Sequence, residues 1–341
     1  SNEIDIVTDD TLANTCTETG TGNNAADCII DWLNSIDEIT QTNTATGNDL
    51  TDAGLVLDNT VDTTQGLDLA NDCDESDAGD NNAVCSNDLD NLIGPISQTN
   101  DVSGDIPADS HVNNFEATQL ASGQNGCDET GDGNNEANCS IGDGSTNNID
   151  EVTQLNQVTD ADSAAQLNNI SSIQLLDLQN DCDESGDGVN DPDNCQVDDV
   201  DNTVEEPLTQ TNTATGSAFA DIVQGNQIDL SEVLVADNDC DEAGSGDNIA
   251  FCNIEGTDNQ LENGITQDNE VTDADDGTSI SQDNGALIIQ AMDLKNDCDE
   301  SSTTTEFNDA DCQQQDGLDN EISTVLDQSN TAEALDFSVI D

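Results

Sequence analysis

Hydrophobic and polar residues alternate along this chain in six related segments: Ile39-x-Gln41-x-Asn43-x-Ala45, Ile96-x-Gln98-x-Asn100-x-Val102, Val152-x-Gln154-x-Asn156-x-Val158, Leu208-x-Gln210-x-Asn212-x-Ala214, Ile265-x-Gln267-x-Asn269-x-Val271 and Leu326-x-Gln328-x-Asn330-x-Ala332. A period of two is the strand period, because successive side chains point to opposite faces of a pleated backbone. One face of each segment reads aliphatic, Gln, Asn, aliphatic, while Thr, Ser or Asp fills much of the other. Stacked in register, the Gln and Asn amides would form ladders, each bonding its equivalents above and below. Such ladders let a chain with few large apolar residues bury polar ones, at about 1 kcal/mol net per bond.

Two fainter signals accompany these strands. Asn2, Asn59, Asn113, Asn168, Asn226 and Asn284 each stand fourteen residues before a cysteine, and Ile4, Val61, Phe115, Ile170, Ile228 and Ala286 follow two residues on. That spacing predicts a second strand. Leu12, Leu69, Gly123, Leu178, Ala236 and Leu294, four residues before the same cysteines, mark a third. Helix signals are poor, with β-branched residues, Asn, Asp and Gly spread throughout.

The cysteines fix the repeat. They form pairs separated by 12 to 14 residues, and the first member recurs every 54 to 58 residues, often within Asn-Asp-Cys-Asp-Glu-Ser. Six copies at that period predict a repeat array: an all-β β-solenoid or stacked β-arch array with repeats 14–70, 71–124, 125–179, 180–237, 238–295 and 296–341. Residues 1–13 match the closing part of a repeat, and the sixth repeat stops before its second strand, so the two fragments are complementary. The expectation is a head-to-tail homopolymer, residues 1–13 of one subunit completing the sixth repeat of the next. Against it stands a simple meeting of the termini within one molecule, or a gene cut at an arbitrary point of the repeat.

Composition narrows the partners. Of 341 residues, 77 are Asp or Glu and one is Lys or Arg, for a net charge of -76. Lys295 alone cannot hold a phosphate backbone, which excludes nucleic acid. No apolar run is long enough to insert in a membrane. The opening Ser1-Asn2-Glu3 lacks an initiator Met and reads as a processed form. Leu, Ile, Val and Phe make up about one fifth of the chain, at the border of disorder, and the fixed spacing overrules that border.

An even cysteine count without CxxC or Cys/His clusters favours disulfides, hence an oxidising, extracellular setting. The simplest pairing is local: Cys16–Cys28, Cys73–Cys85, Cys127–Cys139, Cys182–Cys195, Cys240–Cys252 and Cys298–Cys312. Pairing across repeats or subunits stays open. Each local bridge closes a loop worth about 3 kcal/mol in the loop-entropy account. The loops are acidic and Gly-rich, as Ca²⁺ requires, with Asp181, Asp183, Asp187, Asp191 and Asp193 as candidate ligands and Asp72, Asp74 and Asp80 as equivalents. A solvated acidic turn explains the same residues, and the EF-hand pattern does not fit. No cofactor is required. Sequons stand at Asn138 and Asn169, as chance allows in a chain so rich in Asn, Ser and Thr.

No catalytic motif appears, and no carboxylate pair is distinguished among so many. The chain reads as a non-enzyme without a small-molecule substrate. His111 is expected at the surface, and Trp32 and Met292 in packing roles. A Thr array for ice or mineral binding is a weak reading, because Asp268 and Asp327 interrupt the face of Thr40, Thr42 and Thr44.

The Gln-x-Asn-x-[Ala/Val] columns resemble the amyloid repeats of bacterial curlins, though the period here is longer and curlins lack the cysteine loops. The acidic, Asn/Thr-rich, disulfide-bearing repeat resembles the major sheath proteins of filamentous methanogenic archaea across the whole chain. That resemblance implies a functional-amyloid tube or hoop, resistant to protease and weakened by reductants. The expected function is a structural subunit of an extracellular sheath, tube or fibre; the alternative is a secreted calcium-binding adhesin or surface-layer module.

Overall fold

A computed structural model describes residues 1–19, 23–46, 55–77, 79–104, 109–142, 144–186, 188–189, 194–216, 219–245, 247–274, 278–302, 308–314, 318–322 and 326–334. Every regular element among them is a β-strand. The chain winds through three strands per coil and returns to begin the next coil above the last.

The long strands are Asn2–Thr19, Leu55–Asp77, Asp109–Gly131, Ser163–Gly186, Asp221–Gly244 and Ser279–Ser302. The middle strands are Asn24–Ile36, Asn81–Ile93, Asn135–Gly142 with Thr146–Ile149, Asn194–Val204, Asn248–Leu261, and Asn308–Gln314 with Asp319–Ile322. The short strands, which carry the Gln-x-Asn segments, are Ile39–Thr46, Ile96–Ser103, Val152–Thr159, Leu208–Thr215, Ile265–Ala274 and Leu326–Ala334. Each class forms its own parallel sheet, in coil order. Register puts like on like: Asn2 beside Asn59, Cys16 beside Cys73, Gln154 beside Gln210. A six-coil β-solenoid array is therefore the fold.

Period-two alternation explains why the sheets close. Inward residues of the long, middle and short strands meet in a thin core: Val61, Phe115, Ile170 and Ile228 pack with Ile93, Ile149 and Leu261 and with Ile96, Val152 and Leu208. A second layer joins Leu69, Leu178 and Leu234 to Leu89, Val197 and Ile254. Met292 packs on that layer. Where the middle strand bulges, Asp199 (φ 51°) and Gly256 (φ 59°) occupy the same column in the left-handed region, which Gly enters freely and Asp more readily than most residues.

Four expectations change. The second and third strands are one long strand, because the alternation between the Asn and the Cys is unbroken by Pro. The cysteines lie within strands, and the middle strand that holds the second of each pair carries no Gln-x-Asn signature and is not evident from periodicity. His111 is 1% exposed, its Nε2 2.7 Å from Asp109 Oδ2, because it takes an inward position in register with Gln166. Trp32 is 38% exposed and donates its indole N–H to Asp10 at 3.3 Å. Its register partner in the second coil, Leu89, is fully buried.

The ends also read differently in this frame. Counted from the long strand, all six coils have three strands, and residues 2–19 pair with residues 59–76 of the same chain.

Candidate functional site

The interior of the stack is a set of amide columns. In the short sheet, Asn43, Asn100, Asn156 and Asn212 each donate Nδ2–H to the Oδ1 of the next coil's Asn at 2.9 to 3.1 Å. Asn269 donates likewise to Asn330 at 3.0 Å. In the long sheet Asn2, Asn59, Asn113, Asn168 and Asn226 do the same, ending on Asn284. The two columns interleave: Asn100 donates to Asn113 at 3.0 Å and Asn113 to Asn156 at 3.0 Å. A third column runs from Asn34 through Asn91, Asn147, Asn202 and Asn259 to Asn320.

Direction matters. These asparagine columns donate toward the sixth coil. The glutamine column donates toward the first: Gln98 to Gln41, Gln154 to Gln98, Gln210 to Gln154, Gln267 to Gln210 and Gln328 to Gln267, at 2.6 to 3.0 Å. The two faces of the stack are therefore unlike. The first coil presents Asn oxygens, and the sixth presents Asn N–H groups and Gln oxygens.

All six local disulfides form, each tying a long strand to the middle strand of its own coil with Cα atoms 6.0 to 6.4 Å apart. They stack with Ala26, Ala83 and Ala137 into a buried sulfur column. Sulfur triads such as Cys28, Cys73 and Cys85 approach metal-site distances, but these sulfurs are bonded in disulfides and have no thiolate to offer. Six disulfides fit an oxidising compartment outside the cytosol. No described helix is long and apolar enough to cross a membrane.

Beside the sulfur column, strand alternation turns a glutamate inward and aspartates outward. Glu18, Glu75, Glu129, Glu184, Glu242 and Glu300 share one register column. Glu129 accepts the backbone N–H of Ala83, and that of Glu136 at 2.7 Å. Burial pushes its carboxyl up to about 8; those N–H groups oppose the shift, and the Glu75 and Glu136 carboxylates add to it. The column escaped sequence reading because its glutamates look like the rest of an acidic loop; their fixed place two residues after each leading cysteine was the available signal.

Of the calcium candidates, Asp181 and Asp183 lie outward on the long strand, and Asp187, Asp191 and Asp193 fall outside the described residues. Asp183 lies near Asp181, Asp128 and Asp241, and burial first, then these neighbours, raises its carboxyl to about 7. Asp72 is raised by burial and by Asp74. Asp80 accepts from Asn23 and from the Asn134 N–H. Asn138 and Asn169 both sit in strands, and the Asn169 side chain donates to Asn114 at 2.8 Å.

The sequence matches no protein-family model, and no curated protein or solved structure is similar to it.

Proposed function

We propose that this protein is the structural subunit of an extracellular fibre, tube or sheath, assembled head to tail from identical copies. The observation that carries the reading is the set of in-register amide columns, each with one direction of donation, which any further coil of the same kind would extend. Leu326 is 50% exposed where Ile265, one coil below in the same column, is 1% exposed. Ile322 is 52% exposed and its register partner Leu261 fully buried.

A second copy's first long strand has the composition to cover the sixth coil. Within the chain, Asn269 of the fifth short strand donates to Asn284 of the next long strand at 2.8 Å. By the same geometry Asn330 would donate to Asn2 of a second copy, and Gln41 of that copy would donate back to Gln328. Like faces would set acceptor against acceptor, so the columns favour top-to-bottom growth, a heterologous contact that gives filaments or rings. Residues 1–13 of the second copy, Asn2 among them, would thereby complete the sixth repeat of the first. The resemblance to methanogen sheath proteins supports a tube as the final form.

The reading is tested by sedimentation and electron microscopy of the intact protein and of Leu326→Asp. Wild type should elongate with concentration, and the variant should remain single subunits with the same circular dichroism. Wild type that stays monomeric at high concentration would overturn it. The calcium-adhesin alternative rests on the outward aspartate row; an assembly dissolved by EDTA and indifferent to thiol reductant would favour it.

A further inference from the structure

One amide column is broken by a single residue. In the long sheet Gln65, Gln119, Gln174, Glu232 and Gln290 occupy one inward register column. Gln119 donates to Gln65 Oε1 at 3.0 Å, Gln174 to Gln119 Oε1 at 2.9 Å, and Gln290 to Glu232 Oε2 at 2.7 Å. The link from position 232 to Gln174 is missing. Gln174 Oε1 and Glu232 Oε1, adjacent in register, are both buried and both without a hydrogen-bond partner.

The surroundings decide what Oε1 needs. Gln119 and Gln174 each donate also to two backbone carbonyls across the core, Asn91 and Asn148 for the first, Asn147 and Thr203 for the second. The register equivalents at the level of Glu232 are the carbonyls of Asn202 and Gln260. This position therefore takes a donor, and an ionised carboxylate has none to give. No cation relieves it. The acidic groups of the packed strands are Asp201 and Asp258 opposite and Asp177, Asp229 and Asp293 alongside; Asp201 has one carboxyl oxygen buried, and burial raises its carboxyl too, to about 6.

We propose that Glu232 is a proton-binding site of the stack, held as a neutral carboxylic acid whose Oε1–H donates to Gln174 Oε1 and closes the column. The proton comes from solvent and returns to it, with no other bond made or broken. Burial pushes the Glu232 carboxyl up to about 7, the hydrogen bond from Gln290 opposing it. The folded state thus holds this proton at pH values where the unfolded chain has lost it, and the ladder is complete on the acid side.

Glu232→Gln supplies a permanent N–H donor in the same shape and is the natural test. Between the ordinary glutamate value of 4.5 and about 7, the folded-to-unfolded ratio of wild type should fall relative to E232Q by about tenfold per pH unit, then level off. An infrared difference spectrum between the two proteins near pH 6 should carry a protonated-carboxyl band that E232Q lacks. Parallel pH profiles for the two proteins, or a spectrum containing only carboxylate bands, would overturn the assignment. Made in a Leu326→Asp background, both readouts are free of any contribution from polymerisation, so they do not depend on the proposed assembly.

Discussion

Asn212 is the sharpest probe of the interior, because it sits mid-stack and its bonds are known. Its Nδ2 lies 3.0 Å from Gly225 O and 2.9 Å from both Asn226 Oδ1 and Asn269 Oδ1, and its Oδ1 accepts from Asn156 and Asn168 at 3.0 Å. Asn212→Leu keeps the volume nearly constant and removes every polar contact. The cost is less than five bonds, because the neighbours are over-supplied: Asn156 still reaches Asn168, Asn168 still reaches Asn226, and Asn269 Oδ1 still accepts from Asn226. What is lost is the contact to the Gly225 carbonyl, which also sits within the strand ladder, together with about two net bonds. At about 0.5–1.5 kcal/mol per bond, these three come to roughly 2–4 kcal/mol. Thr211→Leu, on the outer face of the same strand, should change stability by about 0.5 kcal/mol or less. Urea unfolding of both variants in a Leu326→Asp background measures the difference without a contribution from polymerisation. Equal losses at Asn212 and Thr211 would refute the assignment of a buried amide column.

Further outcomes follow from the carboxylates, the sulfur column and the net charge. Glu129, raised from 4.5 to about 8, favours the folded state most below its unfolded value, so thermal melts should show stability falling as pH rises from 4.5 toward about 8. Glu129→Gln should flatten that fall. Reduction of the six disulfides should lower resistance to urea by about 3 kcal/mol per opened loop at most, read as a shift in midpoint with dithiothreitol present. With a net charge of -76 per subunit, elongation followed by light scattering should accelerate as salt rises through about 0.1 M, where the screening length is about 10 Å. Elongation that slows with salt would contradict charge repulsion as its barrier.

Much of this architecture was legible in the chain because stacking in register makes chemistry periodic. Gln154 pairs with Gln210 and Asn156 with Asn212, and the period-two run around them could be read directly as a strand. The same logic made the local cysteine pairing the simplest choice. What stayed hidden lacked a distinctive residue. The middle strands carry their inward asparagines, Asn91 and Asn147 among them, within Asp- and Asn-rich runs that look like loop, and only contacts across the coil, such as Asn91 to the Leu120 carbonyl, give them a face. His111 was misplaced because a lone histidine in a polar chain suggests surface, whereas its register with Gln166 places it inside. Glu232 was invisible for the opposite reason: one more acid among 77 carries no signal until the column it interrupts is aligned.

The central claim is that copies continue the coil stack without a break. Cryo-electron microscopy of assembled filaments tests it most directly through the axial rise per subunit. Six coils at about 4.8 Å each predict a rise of about 29 Å, with continuous 4.8 Å spacing across the junction between subunits. A rise unrelated to six strand spacings, or subunits joined side by side with the faces of Leu326 and Asn2 left open to solvent, would contradict it.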